Sequence, residues 1–342
     1  KGESTGVSRV CEILLPHCSQ ITSFAMNDSC VPRNFRSLLS GMVNLRHLAI
    51  IDPRINITSG LFSEFYGTRI QSFQLVGQFA RELQNNLHTV FETMSTLRTL
   101  TLGGGLVTSA CIRQIAQCVP SLTSLTLLGE VCADVSVMVE WAALCPKIVH
   151  LDCQLTDAAL LQIVQILPLV SLRVNNSAAL THQSLTAIAT YLPNSLETLC
   201  IANNPLLNQK HIINVLQKCT KLRALEFGHD DCPCHELYDK VFISQLCNLE
   251  SISMVSDAYS MNSKAVALVA KLCTALKHLR INTPAKLNSE LHKLVQNCVT
   301  LRVLQLNEWN MSHAEEWRVS RPLCAFEDVE SDSDIAVFGA NH

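Results

Sequence analysis

Five hexapeptides decide the fold: LRHLAI (45–50), LRTLTL (97–102), LTSLTL (122–127), LKHLRI (276–281) and LRVLQL (301–306). Each has apolar residues at its first, fourth and sixth positions. The fourth and sixth residues are two apart, so in a strand they share one face of a sheet. Because one short strand cannot bury that face alone, the recurring hexapeptide predicts strands stacked side by side around a shared aliphatic core.

Conservative variants extend the series to twelve copies, which span 280 residues over eleven steps. The steps are 21 to 27 residues long, inside the window of about 20–29 residues that is typical of leucine-rich repeats. The twelve copies begin at Ile21, Leu45, Ile70, Leu97, Leu122, Ile148, Leu169, Leu196, Leu222, Leu249, Leu276 and Leu301.

The segments between the hexapeptides have a helical period. Apolar residues recur at three and four steps, as at Ile112, Ile115 and Ala116, and prolines follow several of these stretches. Each unit therefore reads as strand, loop, helix and turn. We predict an α/β solenoid of about 12 repeats over residues 1–312, a ribonuclease-inhibitor-like arc with parallel strands on its concave face and helices on its convex face.

Composition excludes several function classes. The 342 residues are 48% hydrophobic with a net charge of −3, which gives no basic footprint for nucleic acid. No apolar run reaches the length of about 18–20 residues that spans a bilayer, and the N-terminus has no apolar signal-peptide core. We therefore expect no nucleic-acid or membrane partner. The sixteen cysteines are expected to be reduced thiols in a cytoplasmic and/or nuclear protein.

Cysteines follow the repeat. Five lie three residues before the first apolar residue of a repeat, and two lie one residue off that position: Cys18, Cys145, Cys219, Cys273 and Cys298, then Cys118 and Cys247. Met42, Met94 and Ile166 take the position in other repeats, and this exchange predicts a buried apolar site. Metal or catalytic roles are the alternative.

One cysteine-containing stretch lies outside this pattern. The segment HDDCPCHELYDK (229–240) offers Cys232, Cys234 and His235 as alternative zinc ligands, but it lacks paired C-x-x-C spacing. A polar loop at the rim is the favoured interpretation, and no metal or cofactor is predicted.

Stretches such as CPKIVHLDCQLTDAALLQI (145–163) resemble the cysteine-containing subclass of leucine-rich repeats, and the resemblance covers about residues 11–310. It implies the substrate-binding half of an F-box protein in an SCF ubiquitin ligase. Residues 1–40 contain no F-box pattern. The SCF adaptor is therefore expected to bind through a segment upstream of Lys1 or through another protein.

The concave face is the predicted binding surface, because extended concave surfaces are what solenoids use to bind. Its central column is formed by the residue between the last two apolar positions of each repeat: Ala25, Ala49, Gln74, Thr101, Thr126, Asp152, Arg173, Cys200, Glu226, Ser253, Arg280 and Gln305. The column becomes charged from Asp152 onward. Such a polar groove suits a peptide or a folded protein, and a solvated face without a partner is the alternative. The predicted partner-binding residues are His150, Asp152, Gln154, Arg173, Asn175, Glu226, His278, Arg280, Asn282 and Gln305.

Residues 313–342 change character. Seven acidic residues stand against two arginines there, which predicts an acidic, disordered C-terminal tail. Ser331 and Ser333 lie among these acids, and we hypothesise that they are phosphorylated. Phosphopeptide mass spectrometry of the chain from its native host would refute this if both serines are unmodified.

No catalytic motif stands out, since neither His-Glu-x-x-His nor Gly-x-Ser-x-Gly occurs. We expect a non-enzymatic module that recruits substrates to an SCF-type ligase. One alternative is a scaffold or regulatory adaptor unrelated to ubiquitin. The other is a Ran-type GTPase-activating protein, which also pairs a leucine-rich arc with an acidic tail but has a Leu-Asn-Asn-Asn-like signature that is absent from this sequence.

Overall fold

The computed structural model describes residues 13–27, 35–51, 62, 69–77, 81–104, 108–129, 134–207, 209–228, 240–254, 263–282, 288–307 and 325–328. The chain divides into two compact units, Lys1–Arg173 and Val174–His342. Each unit consists of short parallel strands that alternate with helices.

The first unit contains a sheet whose strands pair in chain order and in parallel. Its strands are β1 (Ser23–Asn27), β2 (His47–Ile51), β3 (Ser72–Gly77), β4 (Thr99–Gly104), β5 (Ser124–Leu128), β6 (His150–Asp152) and β7 (Ser171–Arg173). Its α-helices are α1 (Phe35–Gly41), α2 (Arg81–Asn85), α3 (Leu87–Phe91), α4 (Ser109–Cys118), α5 (Val135–Leu144) and α6 (Asp157–Ile166).

The second unit repeats this plan, again with parallel pairing in chain order. Its strands are β8 (Thr198–Cys200), β9 (Ala224–Phe227), β10 (Ser251–Met254), β11 (His278–Asn282), β12 (Val303–Asn307) and β13 (Ala325–Asp328). Its α-helices are α7 (His182–Tyr191), α8 (Gln209–Lys218), α9 (Lys240–Gln245), α10 (Ser263–Leu272) and α11 (Asn288–Asn297).

The twelve strands β1–β12 correspond to the twelve hexapeptides, and the first, fourth and sixth positions supply the core. Leu97, Leu100 and Leu102, for example, are fully buried. The prediction of an α/β leucine-rich-repeat solenoid is therefore confirmed.

A recurrent hydrogen bond sets the register between repeats. In each repeat, one residue directly follows the first apolar residue of the hexapeptide. Its backbone carbonyl accepts hydrogen bonds from two N–H groups of the next repeat. Arg98 O accepts from Thr123 N at 2.8 Å and from Ser124 N at 3.0 Å. The same pattern occurs along both units, so equivalent positions of successive repeats lie side by side.

Strand β13 differs from the expectation for the C-terminal segment. Ala325–Asp328 pairs in parallel with β12, and Glu327 aligns with Gln305. Four residues of the predicted disordered tail thus continue the sheet, because the edge of β12 offers unpaired backbone groups to any segment that can reach it. The other residues of 313–342, including Ser331 and Ser333, lie outside the described residues.

The cysteine position is buried where the repeat is regular. Four of the five cysteines in this register are buried, namely Cys145, Cys219, Cys273 and Cys298, whereas Cys18 is half-buried. The off-register Cys118 and Cys247 are also half-buried, and the buried position beside them is filled by Val119 and Leu246.

Ile166 is an exception, and its predicted burial is wrong. Its side chain is 38% exposed, and the next residue, Leu167, is buried instead. The repeat from Ile148 to Leu169 is the shortest of the series. Leu167 N donates to Ile163 O and Leu169 N donates to Leu167 O. The turn between helix and strand is therefore one residue shorter than in the regular repeats, and the buried residue is Leu167 instead of Ile166.

The buried thiols contact the preceding repeat. Cys145 Sγ donates to Val119 O at 3.5 Å, and Cys298 Sγ donates to Cys273 O at 3.4 Å. Burial raises the pKa of Cys145 and Cys219 to about 11 and that of Cys273 to about 12. These are packing groups whose reactive thiolate form is suppressed.

We expect Cys145, Cys219 and Cys273 to resist iodoacetamide at pH 8 in the folded chain. With a pKa near 11, only on the order of 0.1% of a thiol is ionised at that pH, and the thiolate is the form that reacts. Peptide mass spectrometry with and without urea measures the labelling, with the half-buried Cys247 as the internal control. Labelling of Cys145 as fast as Cys247 would contradict the assignment.

Candidate functional site

The candidate site is the sheet face opposite the helices, which we call the open face. Strand side chains alternate between core and open face, as expected for a pleated strand. In β5, Leu125 and Leu127 are buried, whereas Thr126 is partly exposed. In β9, Leu225 is buried and Glu226 is partly exposed. This face corresponds to the concave face of the sequence prediction.

Small and uncharged side chains form the central column of the open face through β1–β5. The strand register aligns Ala25, Ala49, Gln74, Thr101 and Thr126. The next two members, Asp152 and Arg173, are Cα partners on β6 and β7. Arg173 Nε lies 3.5 Å from Asp152 Oδ2, so these two predicted binding residues pair with each other.

Asn175 and Glu226 form a second internal pair, in the second unit. Asn175 Nδ2 donates to Glu226 Oε1 at 2.7 Å, while Asn175 Oδ1 accepts from Ala202 N at 2.7 Å. The amide therefore uses both of its polar atoms within the chain. Its role is to hold the Glu226 carboxylate in one place.

Asn204 fastens the loop that carries Asn175. Its buried amide nitrogen lies within hydrogen-bond distance of Val174 O, Ile201 O and Ala202 O, at 3.0, 2.8 and 3.2 Å. Its Oδ1 accepts from Ser177 N at 2.9 Å. A buried polar side chain with every atom satisfied rigidifies its surroundings.

Two asparagines adopt left-handed backbone conformations next to this network. Asn176 and Asn203 both have φ of 57°, a region that asparagine tolerates better than most residues. Each follows the strand leucine of its repeat by four residues. The Asn-Asn pairs at 175–176 and 203–204 are the sequence signal for this loop. Only Asn175 of these four residues is among the predicted binding residues, because that prediction followed the hexapeptides and their immediate neighbours.

Charges also pair at the entrance to β10 and β11. Lys277 Nζ lies 2.6 Å from Glu250 Oε2, and this hydrogen bond lowers the pKa of Glu250. Burial, followed by the charges of Arg302 and Lys277, lowers the pKa of His278. His278 is thus less readily protonated than an ordinary histidine.

Arg280 differs from the other charged residues of the column. It is partly buried on β11, between Ser253 of β10 and Gln305 of β12 in the register. Among the residues that the structure describes, no hydrogen bond or ion pair involves its guanidinium. It is available to a ligand.

The structure thus distributes the ten predicted residues over both units. His150 is exposed at the start of β6, and Gln154 is partly exposed just after that strand. Asn282 ends β11, but its side chain lies outside the described residues. Within the second unit, Arg280 and Gln305 are adjacent and His278 lies two residues before Arg280 on the same strand.

Two members of the central column are buried, contrary to expectation. Cys200 is 4% exposed and Ser253 is 2% exposed. Both are small and stand next to Glu226 in the register. A longer neighbour such as Glu226 can screen a short side chain from water even where no described helix covers the sheet.

Neither metal ligands nor a membrane span is found in the described part of the chain. No group of three or more His, Cys, Asp or Glu residues there could hold a metal ion. The loop at 229–239 with its Cys-x-Cys-His sequence lies outside the described residues. No described helix is long and apolar enough to cross a bilayer.

No protein-family model and no curated protein sequence matches the chain. The repeat period and the alternation of parallel strands with helices are those of the leucine-rich-repeat fold. The leucine-rich-repeat-containing protein LegL7 from Legionella pneumophila is similar, with 15% identity and a TM-score of 0.49 over 74% of this chain and 91% of that one. A leucine-rich-repeat protein from Leptospira interrogans shares 12% identity over 92% and 98% of the two chains, with a TM-score of 0.37.

The structure of the Rad7 and Elc1 complex in yeast is also similar, with 13% identity and a TM-score of 0.42. The match covers 95% of this chain and 88% of that one. All three TM-scores lie below 0.5 and no identity exceeds 15%, so nothing about this chain follows from these similarities.

Replacing Asn204 by alanine should lower the free energy of unfolding by about 2–3 kcal/mol, because it leaves buried backbone groups without partners. Urea denaturation followed by circular dichroism measures the change. The exposed Asn194 is the matched control, and its alanine variant should stay within about 0.5 kcal/mol of the unmodified chain. Equal effects of the two substitutions would mean that the Asn204 network does not hold the loop.

Proposed function

We propose that this chain is a non-enzymatic protein-recognition module that recruits substrate proteins to an SCF-type ubiquitin ligase through its open face. The observation that carries the proposal is the open face itself. Polar side chains alternate there with core residues in successive strands, while the described helices contribute their buried apolar residues to the core. Repeat proteins bind partners on such extended sheet surfaces.

The chemistry of the open face favours a protein partner. Its central column consists of alanine, glutamine and threonine through β5, and from β6 onward it is mostly charged or polar. A mixed polar surface of this kind forms hydrogen bonds and local charge pairs with a peptide or a folded protein. An apolar small molecule would find few contacts on it.

The ubiquitin-ligase part of the proposal rests on the sequence resemblance. Segment 145–163 resembles the repeat of F-box proteins that carry leucine-rich repeats, and the buried cysteines supply the position that gives that subclass its name. The F-box would then come from a segment outside these residues or from a second protein. Reduced thiols fit a cytoplasmic or nuclear location, where SCF ligases would meet their substrates.

Affinity purification from the native host tests both parts. The variant Thr101→Arg/Thr126→Arg places two long cations on the open face and should lose substrate proteins by at least tenfold. The matched control, Gln117→Arg/Gln162→Arg, adds the same charges to exposed positions on α4 and α6 and should retain them. Quantitative mass spectrometry compares the three samples, and circular dichroism confirms that each chain is folded.

The presence of the SCF adaptor in the purified samples distinguishes a ubiquitin-ligase role from a scaffold or regulatory role. We expect the adaptor in all three samples, because it would bind away from the open face. Partners that survive Thr101→Arg/Thr126→Arg unchanged would overturn binding through the open face. Absence of the adaptor from the unmodified sample would remove the ubiquitin role and leave a scaffold or regulatory adaptor.

A further inference from the structure

We propose that β10–β12 of the open face form a subsite for a carboxylate side chain of the protein partner, held by Arg280 and Ser253. The proposal rests on the proposed recognition role of the open face and specifies the chemistry of the ligand. It predicts that the partner presents an acidic segment to this part of the face.

The first argument is the distribution of charge partners. Asp152 pairs with Arg173, Glu250 pairs with Lys277, and the Glu226 carboxylate accepts from an amide. Arg280 has no such partner among the described residues. A guanidinium carries five N–H donors in a planar fork that matches a carboxylate, so Arg280 can bind an anion without first giving up a bond to another described residue.

The second argument is the neighbouring hydroxyl. Ser253 Oγ is buried and has no hydrogen-bond partner in the part of the chain that the structure describes, which is an unfavourable state for a polar group. Ser253 and Arg280 are Cα partners on adjacent parallel strands, which lie about 4.8 Å apart. Two uncommitted polar groups of the same surface therefore stand side by side.

A carboxylate satisfies both groups. One oxygen accepts from the guanidinium and the other accepts from the Ser253 hydroxyl, giving charge-assisted hydrogen bonds of the stronger kind. Because the Ser253 hydroxyl is buried, the side chains around it have to move aside for the carboxylate to reach it. The recovered hydrogen bond favours that movement.

The surrounding charges are mixed and restrict where an anion can bind. Burial lowers the pKa of His278, and the charges of Arg302 and Lys277 lower it further while Glu250 opposes them. His278 lies two residues from Arg280 on β11, and both belong to the same face. Lys277 is paired with Glu250, and Glu226 is the Cα partner of Ser253 on the side away from Arg280. The carboxylate therefore has to bind on the Arg280 side of Ser253, where the guanidinium offsets its charge.

Selection from a random library of 12-residue peptides displayed on phage tests the subsite. The full chain serves as bait, and an Arg280→Gln bait identifies the peptides that depend on Arg280. We expect these peptides to be enriched in Asp and Glu at one position. Replacing that acid by Asn or Gln in the synthetic, fluorescein-labelled peptide should weaken binding at least tenfold in anisotropy titrations.

Three variants assign the binding to the two residues. Arg280→Gln should weaken binding of the acidic peptide at least tenfold. Ser253→Ala should weaken it severalfold with unchanged urea stability, because the hydroxyl has no bond to lose in the free chain. Arg113→Gln is the matched control, since Arg113 lies on α4 and pairs there with Glu140 at 3.1 Å, and it should leave binding unchanged.

The outcomes separate this subsite from the wider role of the open face. Selected peptides without an acid preference, or peptides bound equally by the unmodified chain and by Arg280→Gln, would overturn the subsite. So would binding that is lost as strongly with Arg113→Gln. Loss of substrate proteins from the Thr101→Arg/Thr126→Arg variant would still support recognition through the open face in each of these cases.

Discussion

Each repeat depends on the next one for its strand. One backbone carbonyl per repeat accepts two hydrogen bonds from the next repeat and so joins the starts of two neighbouring strands. Glu250 O, for example, accepts from Lys277 N at 2.7 Å and from His278 N at 3.0 Å. The aliphatic residues at the fourth and sixth positions of adjacent repeats then lie side by side and bury one another. A strand of three to six residues would not persist without this pairing, because an isolated short strand buries too little apolar surface to offset its ordering entropy.

The same register arranges the chemistry of the open face. Equivalent residues of adjacent repeats stand about 4.8 Å apart, a distance at which opposite charges pair. Asp152 with Arg173 and Glu250 with Lys277 follow this rule. A partner gains little from charges that are already matched and partly solvated.

Sequence predicts the parts of this structure that repeat. The hexapeptide predicts β1–β12 and the core leucines, and the period predicts four buried cysteines. The charge pair of Asp152 and Arg173 is also readable, because the two residues are consecutive members of one column. Departures from the period are harder to predict: the 21-residue repeat moves the buried position from Ile166 to Leu167, and β13 forms at a sheet edge from a segment whose acidic composition favoured disorder.

The remaining surprises depend on side-chain length and on loops. Ser253 and Cys200 are short side chains next to the longer Glu226 in the strand register. The order of residues in the sequence does not show how far such a neighbour screens them from water. Asn204 lies outside the hexapeptide, yet it positions Asn175 and through it Glu226. If the open face binds a protein as proposed, that partner would have to break an existing pair to use Asp152 or Arg173, whereas Arg280 has no pair to break among the described residues. On that proposal, specificity would concentrate at a described group that the repeat leaves without a match.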